Sequence, residues 1–129
     1  MSTIKVGTLL AADGSTTTQP SIPALDKRMA KAWVNFNGTG TVAIRDSYNV
    51  SSVVTTGNAQ FKVNFSTNMS SVNFCAFVTA RGVAASSRGL GTLNHDLANT
   101  ISAVNVLTLD ASNGNYVDSP EVNVMIIED

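Results

Sequence analysis

The 129 residues suit one compact domain and exclude a two-domain enzyme with a separate cofactor module. Hydrophobic residues make up 43% and charged residues only 13%, against a usual charged share of about a quarter, so Ser, Thr and Asn, about a third of the chain, must finish the surface. Eight basic against nine acidic residues lack the basic surplus that phosphate neutralisation needs, and no nucleic-acid partner is expected.

The opening MSTIKVGTLLAA is too short and too interrupted by polar residues for a secretory h-region or a membrane span, which predicts synthesis in a cytoplasm and no membrane insertion. The Asn-x-Ser/Thr patterns at Asn37, Asn49, Asn64 and Asn68 therefore read as polar strand faces and turns. Asp13 to Pro20 is a polar connector, so residues 1–20 are expected to form an N-terminal arm or strand with its connector, and residues 21–129 the main domain. Only Ser21 to Lys31 suggests helix: Ser21 can cap, Pro23 fits the first turn, and Leu25 and Met29 stand four apart. A short helix or ordered linker is expected there.

From Ala32 onward the apolar period is two. Ala32, Val34 and Phe36 face one way, Trp33 and Asn35 the other, and Asn37-Gly38-Thr39-Gly40 then turns the chain into a hairpin. Val42 and Ile44 share a face on the next strand, and Tyr48, Val50 and Ser52 continue the alternation after a break at Asp46-Ser47. A turn at Gly57-Asn58 leads to Phe61, Val63 and Phe65, which alternate with Gln60, Lys62, Asn64 and Ser66 as a strand with one wet face does. Val72, Phe74, Ala76 and Val78 form the next inward set, opposite Asn73, Cys75, Phe77 and Thr79, a face polar only in part, so this strand is expected to be covered on both sides. Arg81 to Asn99, with Gly82, Gly89 and Gly91, keeps no period and reads as a long loop. Ile101 to Asp110 and Glu121 to Glu128, joined through Ala111-Ser112-Asn113-Gly114-Asn115, are strands with apolar residues on both faces. Their second faces should need another sheet or another subunit. Seven or eight short strands predict an all-β fold, a small antiparallel β-sandwich.

Chemistry-bearing residues are sparse. His95 is the only histidine, and a Ser/His/Asp relay would have to use Asp96 beside it, yet Gly-x-Ser-x-Gly is missing, so both read as polar loop residues. The acidic residues fall mostly at turns and ends, where they suit turn geometry better than a glycosidase pair. Gly89-Leu90-Gly91 lacks a phosphate-loop ending, and Arg81 and Arg88 read as solvated or intersubunit residues. One His and one Cys give neither a zinc set nor a disulfide, and Cys75 reads as a small buried hydrophobe. No enzymatic activity, metal or cofactor is expected. Phe61, Phe65 and Phe74 belong to the core, whereas Trp33, on the face opposite Val34, is an interface or second-core residue.

The run KAWVNFNGTGTVAIRDSYNVSSV, from Lys31 to Val53, resembles a module of bacteriophage tail-fibre-like proteins, notably those of phages infecting cyanobacteria and marine bacteria. In that module an alternating strand ending in Val-Asn-Phe precedes a Met-containing turn and a further strand, and Phe61 to Met69 with Asn73 to Ala76 occupy those places. The opening Met1 to Val6 is also similar to the start of stand-alone members. Ala59-Gln60 departs from an acidic-aromatic strand start, and Ser70 from a proline that often follows the methionine. The resemblance implies a virion structural protein, made in the host cytoplasm, trimeric like most phage fibres, in contact with other tail or capsid proteins and with loops that touch a host-surface glycan. A capsid decoration or cement protein, gripping its lattice with the arm Ser2 to Leu10, is the alternative.

Overall fold

The computed structural model describes residues 7–8, 10–14, 29–84 and 87–128. They form an all-β sandwich, with no helix among the described residues. The eight strands are β1 (Ala32–Asn37), β2 (Ala43–Tyr48), β3 (Val50–Gly57), β4 (Gln60–Phe65), β5 (Cys75–Ala80), β6 (Gly89–Leu93), β7 (Ala103–Asp110) and β8 (Val122–Ile127). The first sheet runs β2-β1-β8-β5 and the second β3-β4-β7-β6, every neighbouring pair antiparallel. Hairpins β1–β2, β3–β4 and β6–β7 stay within a sheet, and the other four connections cross between sheets, as sandwich topologies require.

The inward residues are those the alternation singles out. Ala32, Val34 and Phe36 of β1 and Val122, Val124 and Ile126 of β8 face Phe61, Val63 and Phe65 of β4 and Val104 and Val106 of β7. The Phe36 and Phe61 rings meet edge-on at 5.2 Å and link the two sheets. Each fully buried Val, Ile or Phe contributes about 1.5–3 kcal/mol, so this one cluster is the main source of stability. Phe74, half-buried before β5, sets its ring against Phe65 at 5.9 Å.

Several expectations are corrected. The glycine-rich stretch is not all loop, because Gly89–Leu93 pairs with β7 as an edge strand. Its glycines are steric necessities: a Cβ on Gly89 would lie 2.3 Å from the Arg81 carbonyl carbon, and one on Gly91 would lie 2.7 Å from Val78. β6 is pressed onto β5, and side chains that would have revealed its period cannot fit there. Tyr48 and Val50 do not continue one alternation, since the chain leaves the first sheet at Tyr48 and enters the second at Val50. Asn49 makes that passage at φ +54°, a left-handed conformation that Asn tolerates. Its amide nitrogen donates to the carbonyls of Lys31 and Thr67, and its Oδ1 accepts from the Thr67 N–H at 2.7 Å. β2 is an edge strand, so Ile44, paired with the inward Phe36, is exposed while Val42 packs on the core, and a bulge at Arg45 shifts the alternation only beyond Ile44.

The two doubly apolar strands end differently. β7 is buried on both faces within the chain, down to Ala103 and Leu107 on its outer side. There Asn105 donates its amide to the Ala98 carbonyl at 2.8 Å and its backbone N–H to Asn99 Oδ1, which ties the 94–102 loop over the strand. No second subunit is needed for β7. The outer faces of β8 and β5 stay bare, with Met125, Phe77 and Cys75 exposed, so β5 is not covered on both sides by its own chain. The helix or linker expected at Ser21 to Lys31 lies outside the described residues except for its last three, which hold no helix, and the described part of the arm is a turn in which Gly14 N–H donates to the Ala11 carbonyl.

Candidate functional site

Where β1 and β8 send one set of side chains inward, the pleat sends the other set outward, and pairing aligns the outward residues across the sheet. Trp33 pairs with Tyr48 of β2 on one side and with Met125 of β8 on the other, and Met125 pairs with Phe77 of β5. The result is an unbroken apolar row, Tyr48–Trp33–Met125–Phe77, over all four strands of the first sheet. Its members are 37%, 36%, 39% and 51% exposed. Three interstrand steps make it about 14 Å long. Ile127 and Cys75, paired with each other, extend it on one side.

On its other side runs a polar row. Asp46 pairs with Asn35, Asn35 with Asn123, and Asn123 with Thr79. Asn35 Nδ2 donates to Asn123 Oδ1 at 2.6 Å, and Asn123 Nδ2 donates to Thr79 Oγ1 at 3.3 Å. Arg45 closes the chain, with one guanidinium nitrogen 3.4 Å from Asn35 Oδ1 and the other donating to the Pro120 carbonyl. These amides satisfy one another, so the polar row is held in place and presents few open groups. Between the two rows lies a depression of about 340 Å³, walled by Trp33, Phe77, Met125, Asn35, Thr79 and Asn123. Its chemistry is apolar contact bordered by ordered amides. Comparison with protein-family models, curated proteins and solved structures finds no match.

The residues weighed for catalysis sit elsewhere. His95 Nε2 is 3.4 Å from Asp96 Oδ1 and 3.4 Å from the Tyr116 hydroxyl, and His95 and Asp96 are both well exposed. Among the described residues no serine is hydrogen-bonded to either of them, and the Asp96 backbone N–H donates to Asn94 Oδ1, which caps the turn. Arg81 and Arg88 are used through their backbones: Arg81 N–H donates to the Glu121 carbonyl, and Arg88 N–H donates to Asp110 Oδ1. Asp110 also accepts from the Ser112 hydroxyl at 2.7 Å and the Ser112 N–H at 2.9 Å, and these bonds, aided by the Arg88 charge, hold its carboxyl below its ordinary 3.8. Among the described residues no three His, Cys, Asp or Glu side chains gather as metal ligands, and no helix is long and apolar enough to cross a membrane. Cys75, expected to be buried, is exposed because it takes an outward position on β5.

Sequence reasoning singled out Trp33 but missed its partners Tyr48 and Phe77. Phe77 carried a signal, an aromatic on the polar-labelled face of its strand. Tyr48 carried none, because the crossing at Asn49 hides which sheet it serves.

Proposed function

We propose that this chain is a non-enzymatic structural subunit of a bacteriophage virion, a tail-fibre or tail-associated protein that stands beside copies of itself as a homotrimer. The observation that carries the reading is the Tyr48–Trp33–Met125–Phe77 row. Four large apolar side chains in register on one sheet face are what a symmetric contact uses as its centre, and the Asn35–Asn123–Thr79 row beside them suits a polar rim. The residues resembling the tail-fibre module form β1, β2, the first half of β3, β4 and the entry to β5, so the resemblance reaches strands of both sheets. A surface finished with Ser, Thr and Asn instead of charge suits subunits packed closely, since it adds little mutual repulsion.

The test has two parts. Sedimentation of the purified chain should give three times its 13.5 kDa mass, and a monomer at all concentrations would overturn the self-association. Antibody labelling of intact virions, viewed by electron microscopy, should mark the tail, and marking of the shell would replace this role with capsid decoration.

A further inference from the structure

An asparagine followed by glycine is where a polypeptide most readily alters itself, because no side chain on the glycine blocks its nitrogen from reaching the preceding amide. The chain has two such pairs, Asn37-Gly38 and Asn113-Gly114, and the fold treats them oppositely. Locally the two asparagines behave alike. Each side-chain oxygen reaches forward to accept a backbone N–H, that of Thr39 at 3.2 Å and that of Asn115 at 2.9 Å. Such a bond polarises the side-chain carbonyl and folds it back along the peptide that follows. Both Cγ atoms are activated in this way, so what separates the two pairs is freedom to move.

Asn37 is clamped. Its amide nitrogen donates to the Thr39 carbonyl at 3.1 Å, and its oxygen also accepts from the Thr39 hydroxyl at 2.8 Å. Gly38 is buried, its N–H donates to the Ser119 carbonyl at 2.9 Å, and a Cβ placed on it would lie 2.8 Å from the Phe61 ring. Freeing the Gly38 nitrogen therefore means lifting the end of β1 off the core. Asn113 lies in the exposed run Ala111 to Asn115, and its amide nitrogen makes no hydrogen bond among the described residues. Gly114, at φ +74°, has open space where a side chain would stand. One bond holds the nitrogen that would react, from the Gly114 N–H to the Asp110 carbonyl at 2.7 Å. That bond is internal to the turn, and releasing it uncovers no core residue.

We infer that Asn113 is a self-modification site, converted in the folded chain to aspartate and isoaspartate while Asn37 is preserved. The Gly114 nitrogen bonds to Asn113 Cγ, the Cγ–Nδ2 bond breaks, and Nδ2 leaves as ammonia with the proton from the Gly114 N–H. The cyclic imide then takes up a water molecule. Opening at Cγ gives aspartate, opening at the backbone carbonyl gives isoaspartate, and nothing is oxidised or reduced. Either product adds a carboxylate to the turn that already holds Asp110. Isoaspartate also inserts a methylene into the main chain, so the turn cannot keep both the Gly114 bond to Asp110 and the Asp110 N–H bond to the Asn115 carbonyl at 2.9 Å. The change loosens the end of β7, where Leu109 pairs with Tyr116.

The test ages the purified full chain in mildly alkaline buffer, where more of the attacking nitrogen is deprotonated. Peptide mapping by mass spectrometry follows each asparagine, with fragmentation that separates isoaspartate from aspartate. Asn113 should convert at least about tenfold faster than Asn37, which must first break its bond to Ser119 and unpack Gly38. In guanidinium chloride the two should convert at similar rates, which assigns the selectivity to the fold. Asn113→Gln, in an exposed turn, should suppress the acidic species that accumulate in the folded wild type on isoelectric focusing. Conversion of Asn37 as fast as Asn113 in the folded chain overturns the assignment. So does a folded Asn113 that stays intact while the denatured chain reacts, a preference for Asn113 that persists in denaturant, conversion without isoaspartate, or undiminished acidic species from Asn113→Gln.

Discussion

Met125→Asp places a carboxylate at the middle of the apolar row, between Trp33 and Phe77. The four row members are 36–51% exposed, and applied to side chains of roughly 150–250 Å² those fractions leave on the order of 300 Å² of apolar surface per copy. Covering it at about 25 cal/mol per Å² is worth about 8 kcal/mol per copy, of which Met125 supplies about 2. An ionised carboxylate buried in that contact adds a desolvation penalty of several kcal/mol. A combined loss of at least about 4 kcal/mol weakens association about a thousandfold. Fold stability should hardly change, because Met125 points away from the core while Val124 and Ile126 keep their places. Sedimentation equilibrium reads the assembly and thermal unfolding in the dilute monomer reads the fold. Val54→Asp, an exposed position on the outer face of the second sheet opposite Lys62, is the comparison and should leave the mass unaltered. Equal masses for wild type and Met125→Asp, or equal loss from Val54→Asp, would refute the assignment of this face.

Three further outcomes follow from the fold. Gly91→Val pushes side-chain atoms into Val78 and the Thr79 backbone of β5, and urea titration should show a loss of about 1–3 kcal/mol or more. Asn49→Ala removes three hydrogen bonds and sets an unsuitable residue at φ +54°, whereas Asn49→Gly removes only the bonds, so both should destabilise and Gly should recover about 1 kcal/mol relative to Ala. The depressed Asp110 carboxyl supports the folded state at pH values above its ordinary 3.8, and that support is lost as pH falls through the lower folded value. Urea midpoints measured below pH 4 should therefore fall more steeply for the wild type than for Asp110→Asn, and parallel slopes would show that the turn bonds do not favour the charged form.

The core strands were legible because their chemistry alternates sharply. β4 could be read to the residue, since Phe61, Val63 and Phe65 are separated by Lys62 and Asn64 and nothing else competes for the period. β6 was illegible for the opposite reason, because contact with β5 leaves room only for glycine at the positions that would have shown an alternation. The sandwich itself followed from strand count and turn residues, but the pairing of β1 with β8 spans most of the chain and has no local signature. The apolar row was visible only as a collection of unconnected residues, and register turned it into a surface.

The lateral rims of the sandwich have a consequence for life at high local concentration. On one rim β6 lies tight against β5, and on the other β2 and β3 are each paired on one side only, with register irregularities at Arg45, Ser51 and Thr56 that break the regular run of their backbone donors and acceptors. Unprotected ribbons of that kind invite strand-by-strand accretion into fibrils. In crowded solution the rim formed by β2 and β3 is therefore, among the described residues, the one place where backbone pairing between molecules could begin, and its bulges are what stand against it.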